Sequence, residues 1–130
     1  MSDPATKFEP ETLSRFLLQR NHIRADLTIR PDPFIPHPYP RLSVTRHEAL
    51  TETDLWTRGR HIAELAGKNL YGRADINPSH IPQDLSMEST PTPENPQHVD
   101  IIGWPKDKPS QKILAIEIAR IAGKAKLLPD

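Results

Sequence analysis

Apolar residues recur along the chain with two different periods, and these divide it into short elements. Ile23, Ala25, Leu27 and Ile29 alternate with Arg24, Asp26, Thr28 and Arg30, the period-2 pattern of a strand with one wet face. Before it, Leu13, Phe16 and Leu17 stand at helical spacing, which predicts a short helix over 10–19. Leu42 and Val44 predict a strand over 41–46. A helix is predicted over 51–65, where Leu55, Ile62 and Leu65, with Trp56 beside them, form an apolar stripe. Thr51 suits its cap, and Glu52 and Asp54 place negative charge where the helix dipole favours it. Gly67 stands where a left-handed stop belongs, while Gly59 weakens the helix interior. Strands are predicted over 69–76, 85–88 and 99–104, the last stopped by Pro105.

The closing segment carries the strongest helical signal. Asp107, followed by Pro109, Ser110 and Gln111, makes a good start. Ile113, Leu114, Ile116, Ile118, Ala119, Ile121 and Ala122 cover most of the circumference. Such a helix is expected to be largely buried, against a sheet or against a partner. Gly123 supplies the stop, and Arg120, Lys124 and Lys126 complement the negative end of the dipole.

Proline changes this picture. The chain has 15 prolines in 130 residues, and those at 31, 33, 36, 38 and 40 exclude a long helix or a central strand there. The segment is expected to run as an extended, polyproline-like belt anchored by Phe34, Ile35 and Tyr39. Helices, short strands and belt in mixed order predict an α+β class. The expected form is a small antiparallel sheet with two to three helices packed on one face. One domain over 1–130 is expected, with 1–9 flexible.

Composition narrows the chemistry. No cysteine is present, which excludes disulfide scaffolds, thiolate zinc sites and cysteine nucleophiles. No apolar run marks a secretory signal or a membrane span, so a cytoplasmic protein away from the membrane is expected. Charge balances, with 17 basic against 17 acidic residues, but it is segregated. From Ala74 to Pro105 the charges are Asp75, Asp84, Glu88, Glu94 and Asp100, and from Lys106 to Lys126 six bases face two acids. The two blocks either neutralise each other in the fold or offer a basic tail to an acidic partner.

Candidate chemistry is sparse. A polar cluster of Arg73, Asp75, His80, His98 and Asp100 is the best available, because His98 and Asp100 share a face if 98–102 is a strand. It would suit a small metal-assisted hydrolase or nuclease; the alternative is that these residues hold loops by hydrogen bonds. Nothing in the spacing assigns a catalytic residue, a metal or a cofactor. Arg41, Arg46, Arg58, Arg60 and Arg73, near Trp56 and Tyr71, would suit nucleic acid, yet Glu48, Glu52, Asp54 and Glu64 are interleaved as in a salt-bridged face. No glycine-rich phosphate loop or serine elbow occurs.

The leading expectation is a non-enzymatic interaction protein with a protein partner or self-association. Phe34, Tyr39, Trp104, Ile116, Arg120 and Lys124 are the candidate surface, on the ground that so apolar a terminal helix suits an interface. Trp104 is also a natural core residue.

Leu70-Tyr-Gly-Arg-Ala-Asp75 and His98-Val-Asp-Ile-Ile-Gly-Trp-Pro105, leading into the Gln111 helix, together resemble a group of short uncharacterised bacterial proteins. The resemblance implies a bacterial origin and carries no mechanism.

Overall fold

The computed structural model describes residues 12–129; the expectation of a flexible 1–9 lies outside them. Six strands form: β1 (Leu13–Leu17), β2 (Leu42–Arg46), β3 (Gly72–Ile76), β4 (Ser86–Ser89), β5 (His98–Ile102) and β6 (Lys126–Leu127). Two α-helices accompany them, α1 (Glu52–Leu65) and α2 (Lys108–Ala122). The strands make one antiparallel sheet in the order β4-β5-β2-β1-β3-β6. The fold is α+β.

Register assigns the two sheet faces. Leu13 pairs with Ile76, Leu42 with Ile101 and Val44 with Val99. Residues directly opposite share a face, so these side chains form one apolar layer. Ala115, Ile118 and Ala119 of α2 pack on it, with Phe34, Leu85 and Trp104 filling the margins. The other face is largely polar, with Ser14, Thr45, Arg73 and Asp75 on it. Phe16, also on this face, clusters with Trp56 and Ala63 of α1 and with Leu70. The helices therefore lie on opposite faces of the sheet, not on one as expected. Phe16 projects away from the α2 layer and requires its own cover.

Caps fix the helix ends as the sequence implies. Thr51 accepts from the Asp54 amide while Asp54 returns a bond to the Thr51 amide, a reciprocal capping box. Asp107 caps α2 through the Ser110 amide, and Gly123 ends it at φ 69°.

Two elements depart from expectation. Residues 13–17 form the strand β1, not a helix. Both of its faces are covered, so it lacks the alternation that marks a half-exposed strand. Residues 23–30 form no long strand. Asp26 accepts bonds from the Thr28 amide and hydroxyl, the Leu27 amide reaches the Arg24 carbonyl, and Leu27 takes φ 73°. This Asx-type turn folds the segment back so that Ile23 bridges Ile29. In the proline segment, Asp32–Phe34 winds into a 3-10 turn. Phe34 is fully buried and Ile35 packs on the core, but Tyr39 is 72% exposed and anchors nothing. Trp104 is core, its indole donating to the Ile101 carbonyl at 2.8 Å.

Candidate functional site

The polar face of the sheet assembles most of the titratable groups that the sequence puts forward. Arg73 and Asp75 alternate on β3 and project to the same side. Arg73, whose side chain is fully buried, donates from Nε to Asp75 Oδ1 at 2.9 Å and from Nη2 to Glu52 Oε1 at 2.9 Å. Its guanidinium lies 4.7 Å from the Trp56 ring centre. Desolvation of the cation is thus offset by two carboxylates and an aromatic face.

Asp75 is also held from the β1 side. Ser14 stands opposite it in register and donates from Oγ to Oδ1 at 2.6 Å. His47 Nε2 lies 2.6 Å from the same hydroxyl, and Lys126 Nζ is 3.3 Å from Asp75 Oδ2. Burial alone would raise the Asp75 pKa, but the surrounding His47, Arg73 and Ser14 hold it well below the usual carboxylate range. Ser14 has one proton, and it goes to Asp75; His47 Nε2–H is therefore the donor to Ser14. A nucleophilic serine needs the reverse, with imidazole accepting its proton. Ser14 is also fully buried. Three residue types of a hydrolase triad meet here in an arrangement that locks a sheet.

A second node forms on β5. Arg41 Nη1 bridges Glu88 at 2.8 Å and Asp100 at 3.0 Å. His98 Nε2 lies 3.9 Å from Asp100 Oδ1. Asp75, Ser14, Thr45 and His98 occupy one cross-strand row over β3, β1, β2 and β5, so Asp75 and His98 are three strand spacings, roughly 14 Å, apart. His80 is exposed in the 3-10 turn Pro78–His80 and bonds to neither node among the described residues. The expected five-residue cluster is therefore two separate pairs, Arg73–Asp75 and His98–Asp100. Among the described residues, no three His, Cys, Asp or Glu side chains are placed to share a metal ion.

The arginines considered for nucleic acid are engaged in the same way. Arg46 pairs with Glu48 at 2.6 Å, and Arg58 ties α1 to Asn95 and Gln97. Trp56 is buried beneath Arg73, and Arg60 stays exposed. Of the segregated charge blocks, the link formed among the described residues is Lys126–Asp75; Arg120 instead pairs with Glu117 inside the basic block.

The candidate interaction residues also divide. Phe34 and Trp104 are interior and offer no surface. Tyr39 projects from the loop before β2. Ile116 and Arg120 come together on α2, in a groove of about 500 Å³ completed by Arg24, Ile29 and Pro31. Lys124 joins its rim through the backbone bridge to Thr28. Contrary to expectation, α2 is not buried around most of its circumference. Ile118 is fully buried, yet Ile113 is 66% and Ile116 50% exposed. No local pattern signals Arg24 in this groove, because the Asx turn that brings it there breaks an apparently regular strand pattern. Ser14 and His47 were equally unsignalled, each being a lone polar residue whose partners are distant in sequence.

No helix among the described residues is long and apolar enough to cross a membrane. Family models, curated proteins and solved structures were each compared with the chain, and none matches it.

Proposed function

We propose that the chain is a non-enzymatic interaction domain, in the manner of a small bacterial accessory, regulatory or immunity-type subunit, and that the groove between α2 and the 24–31 turn receives a protein partner. The exposure of Ile113 and Ile116 on a helix whose opposite side is core carries this reading. Large exposed aliphatic side chains at helical spacing suit the centre of a docking surface.

The groove also has a charge preference. Arg24 and Arg120 line it; Arg120 is already paired with Glu117, so Arg24 is the lining cation open to a partner. Arg24 bonds to the Thr28 hydroxyl and the Ile29 carbonyl, at 3.4 and 3.2 Å, and no described carboxylate pairs with it. The partner that fits is an acidic segment with a bulky apolar side chain to seat against Ile116, Ile29 and Pro31. Catalysis is disfavoured because Asp75, Arg73 and Ser14 satisfy one another. Nucleic acid is disfavoured because Arg41, Arg46 and Arg73 already face carboxylates.

Light scattering on the purified chain, together with capture from its host extract, tests the proposal. Wild type is expected to retain a partner, or a second copy of itself, and Ile116→Glu to lose it with an unchanged melting temperature. A strictly monomeric chain that captures nothing, or capture indifferent to Ile116→Glu, contradicts it.

A further inference from the structure

Charge that is segregated along the chain is also segregated across the sheet. β4 is one edge strand, and all of its residues are exposed. Asp84, Glu88 and Glu94 are exposed on β4 or on the loops beside it, and the described cation in a salt bridge with them is Arg41, on Glu88. The far edge is built by β6 and the 24–30 turn. The Leu128 amide donates to Tyr71 on the β3 side, while the Ala125 amide donates to Leu27. Successive residues of an antiparallel strand point their amides opposite ways, so the turn borders this strand from outside. Arg24, Arg30 and Lys124 lie on this edge, none in a salt bridge with a described carboxylate, against Asp26, whose Oδ1 is taken by Thr28.

Five strand spacings separate the two edges by roughly 24 Å, about three screening lengths at physiological ionic strength. One chain therefore does not neutralise its acidic edge with its own basic one. Both edges also carry backbone groups free to pair. The Thr90 amide donates to the His98 carbonyl, so by the same alternation Met87 and Ser89 direct their amides and carbonyls outward, as Leu127 does on β6. Apolar surface accompanies the charge. Met87, 46% exposed, stands opposite Ile101 and projects to the α2 side of the sheet. The groove beside half-exposed Ile116 opens on that same side.

We infer that this groove receives the β4 edge of a second copy of the chain, in a head-to-tail arrangement; the inference rests on the docking reading of the groove given above. With the copies side by side and their sheet faces aligned, Met87 of one seats against Ile116, Ile29 and Pro31 of the next. The acidic edge bearing Asp84 and Glu88 then runs along the basic edge bearing Arg24 and Lys124. The two surfaces differ, so each copy in a dimer leaves one of them open, and growth continues past the dimer. β4 has four residues and β6 two, so the shared ladder is short and the association is weak and salt-sensitive.

Light scattering over a concentration series up to about 1 mM, the range of weak contacts, tests this. The mass of wild type is expected to rise past that of a dimer and to fall with added salt. Met87→Lys and Ile116→Glu, both at exposed positions, should each leave a monomer with an unchanged melting temperature. Mixed in equal amounts, they should form a dimer and stop there, because only the intact groove of one and the intact β4 of the other can meet. A wild type that stays monomeric or stops at a dimer, or a mixture that stays monomeric, overturns the inference. A monomeric wild type whose groove still binds an acidic, leucine-bearing peptide removes the second copy and leaves the docking reading standing. One that binds no such peptide removes both.

Discussion

Arg73 and Asp75 stand two residues apart on β3 and meet on one sheet face, Nε 2.9 Å from Oδ1. The buried guanidinium has no water to fall back on, so the carboxylate is its principal partner on the sheet. Glu52, whose side chain is 62% exposed, contributes less because solvent screens it. Arg73→Met is expected to cost about 3 kcal/mol or more, because Asp75 is left desolvated without its main counter-charge. Arg73→Lys should not rescue it, lacking the planar fork and the stacking on Trp56. The double variant Arg73→Met/Asp75→Leu should recover much of the loss. Urea unfolding measures all three, and a double variant no better than Arg73→Met refutes the ion-pair account.

The same carboxylate sets a pH dependence. The folded-state pKa of Asp75 lies below its unfolded value, so below about pH 5 the unfolded chain binds the proton more readily. The stabilisation is fully present at neutral pH and is lost as pH falls through the ordinary carboxylate range towards the folded value. Asp75→Asn removes this component. The gap in urea midpoint between wild type and Asp75→Asn should therefore be widest near pH 7 and narrow steadily towards pH 2. A gap that stays constant with pH contradicts the assignment.

Gly59 lies inside α1, where alanine would normally favour the helix by up to about 1 kcal/mol. Here a Cβ would come within 2.7 Å of the Phe16 ring and 3.0 Å of Leu70. Gly59→Ala should therefore destabilise, by roughly 1–2 kcal/mol, as overpacking exceeds the propensity gain. Gly103 combines φ +95° with a Cβ position 2.6 Å from the Asp84 carbonyl oxygen. Backbone cannot yield as a ring can, so Gly103→Ala should cost more than Gly59→Ala. Thermal melts of the two variants establish the order.

On α2, position decides the outcome for one residue type. Ile118→Ala removes a fully buried side chain and should cost about 2–5 kcal/mol. Ile116→Ala, at a half-exposed site, should stay within about 0.5 kcal/mol. If both destabilise alike in urea unfolding, the exposed face assigned to α2 is wrong.

Much of this architecture was legible in the sequence. Thr51 and Asp107 announced both helix starts and Gly123 a helix end, whereas β5 stops at Ile102, before the positive-φ Gly103 and short of Pro105. Local chemistry sufficed at the helix ends because each signal acts within a few residues of itself. The failures have a common cause in tertiary context. Leu13, Phe16 and Leu17 imitate a helix because β1 is covered on both faces, which erases its alternation. Ile23 to Ile29 imitate a strand, but the Asp26–Thr28 bonds outweigh extension. For the candidate site, the Arg73–Asp75 and His98–Asp100 pairs could be read from strand periodicity. Their separation could not, since it depends on β1 and β2 lying between β3 and β5. Ser14, His47, Arg24 and Arg41 reach their places through pairings 33 to 61 residues long or through a single turn, and no local pattern foretells them.

The central claim, that the α2 groove docks an acidic, apolar-anchored segment, is tested most directly by titrating the ¹⁵N-labelled chain with two synthetic peptides. One carries glutamates around a leucine pair; the other has lysines in their place. The acidic peptide should shift Thr28, Ile116, Arg120 and Lys124, weaken with salt as screening requires, and lose binding in Ile116→Glu. Shifts elsewhere, equal response to the lysine peptide, or no response to either would contradict the account.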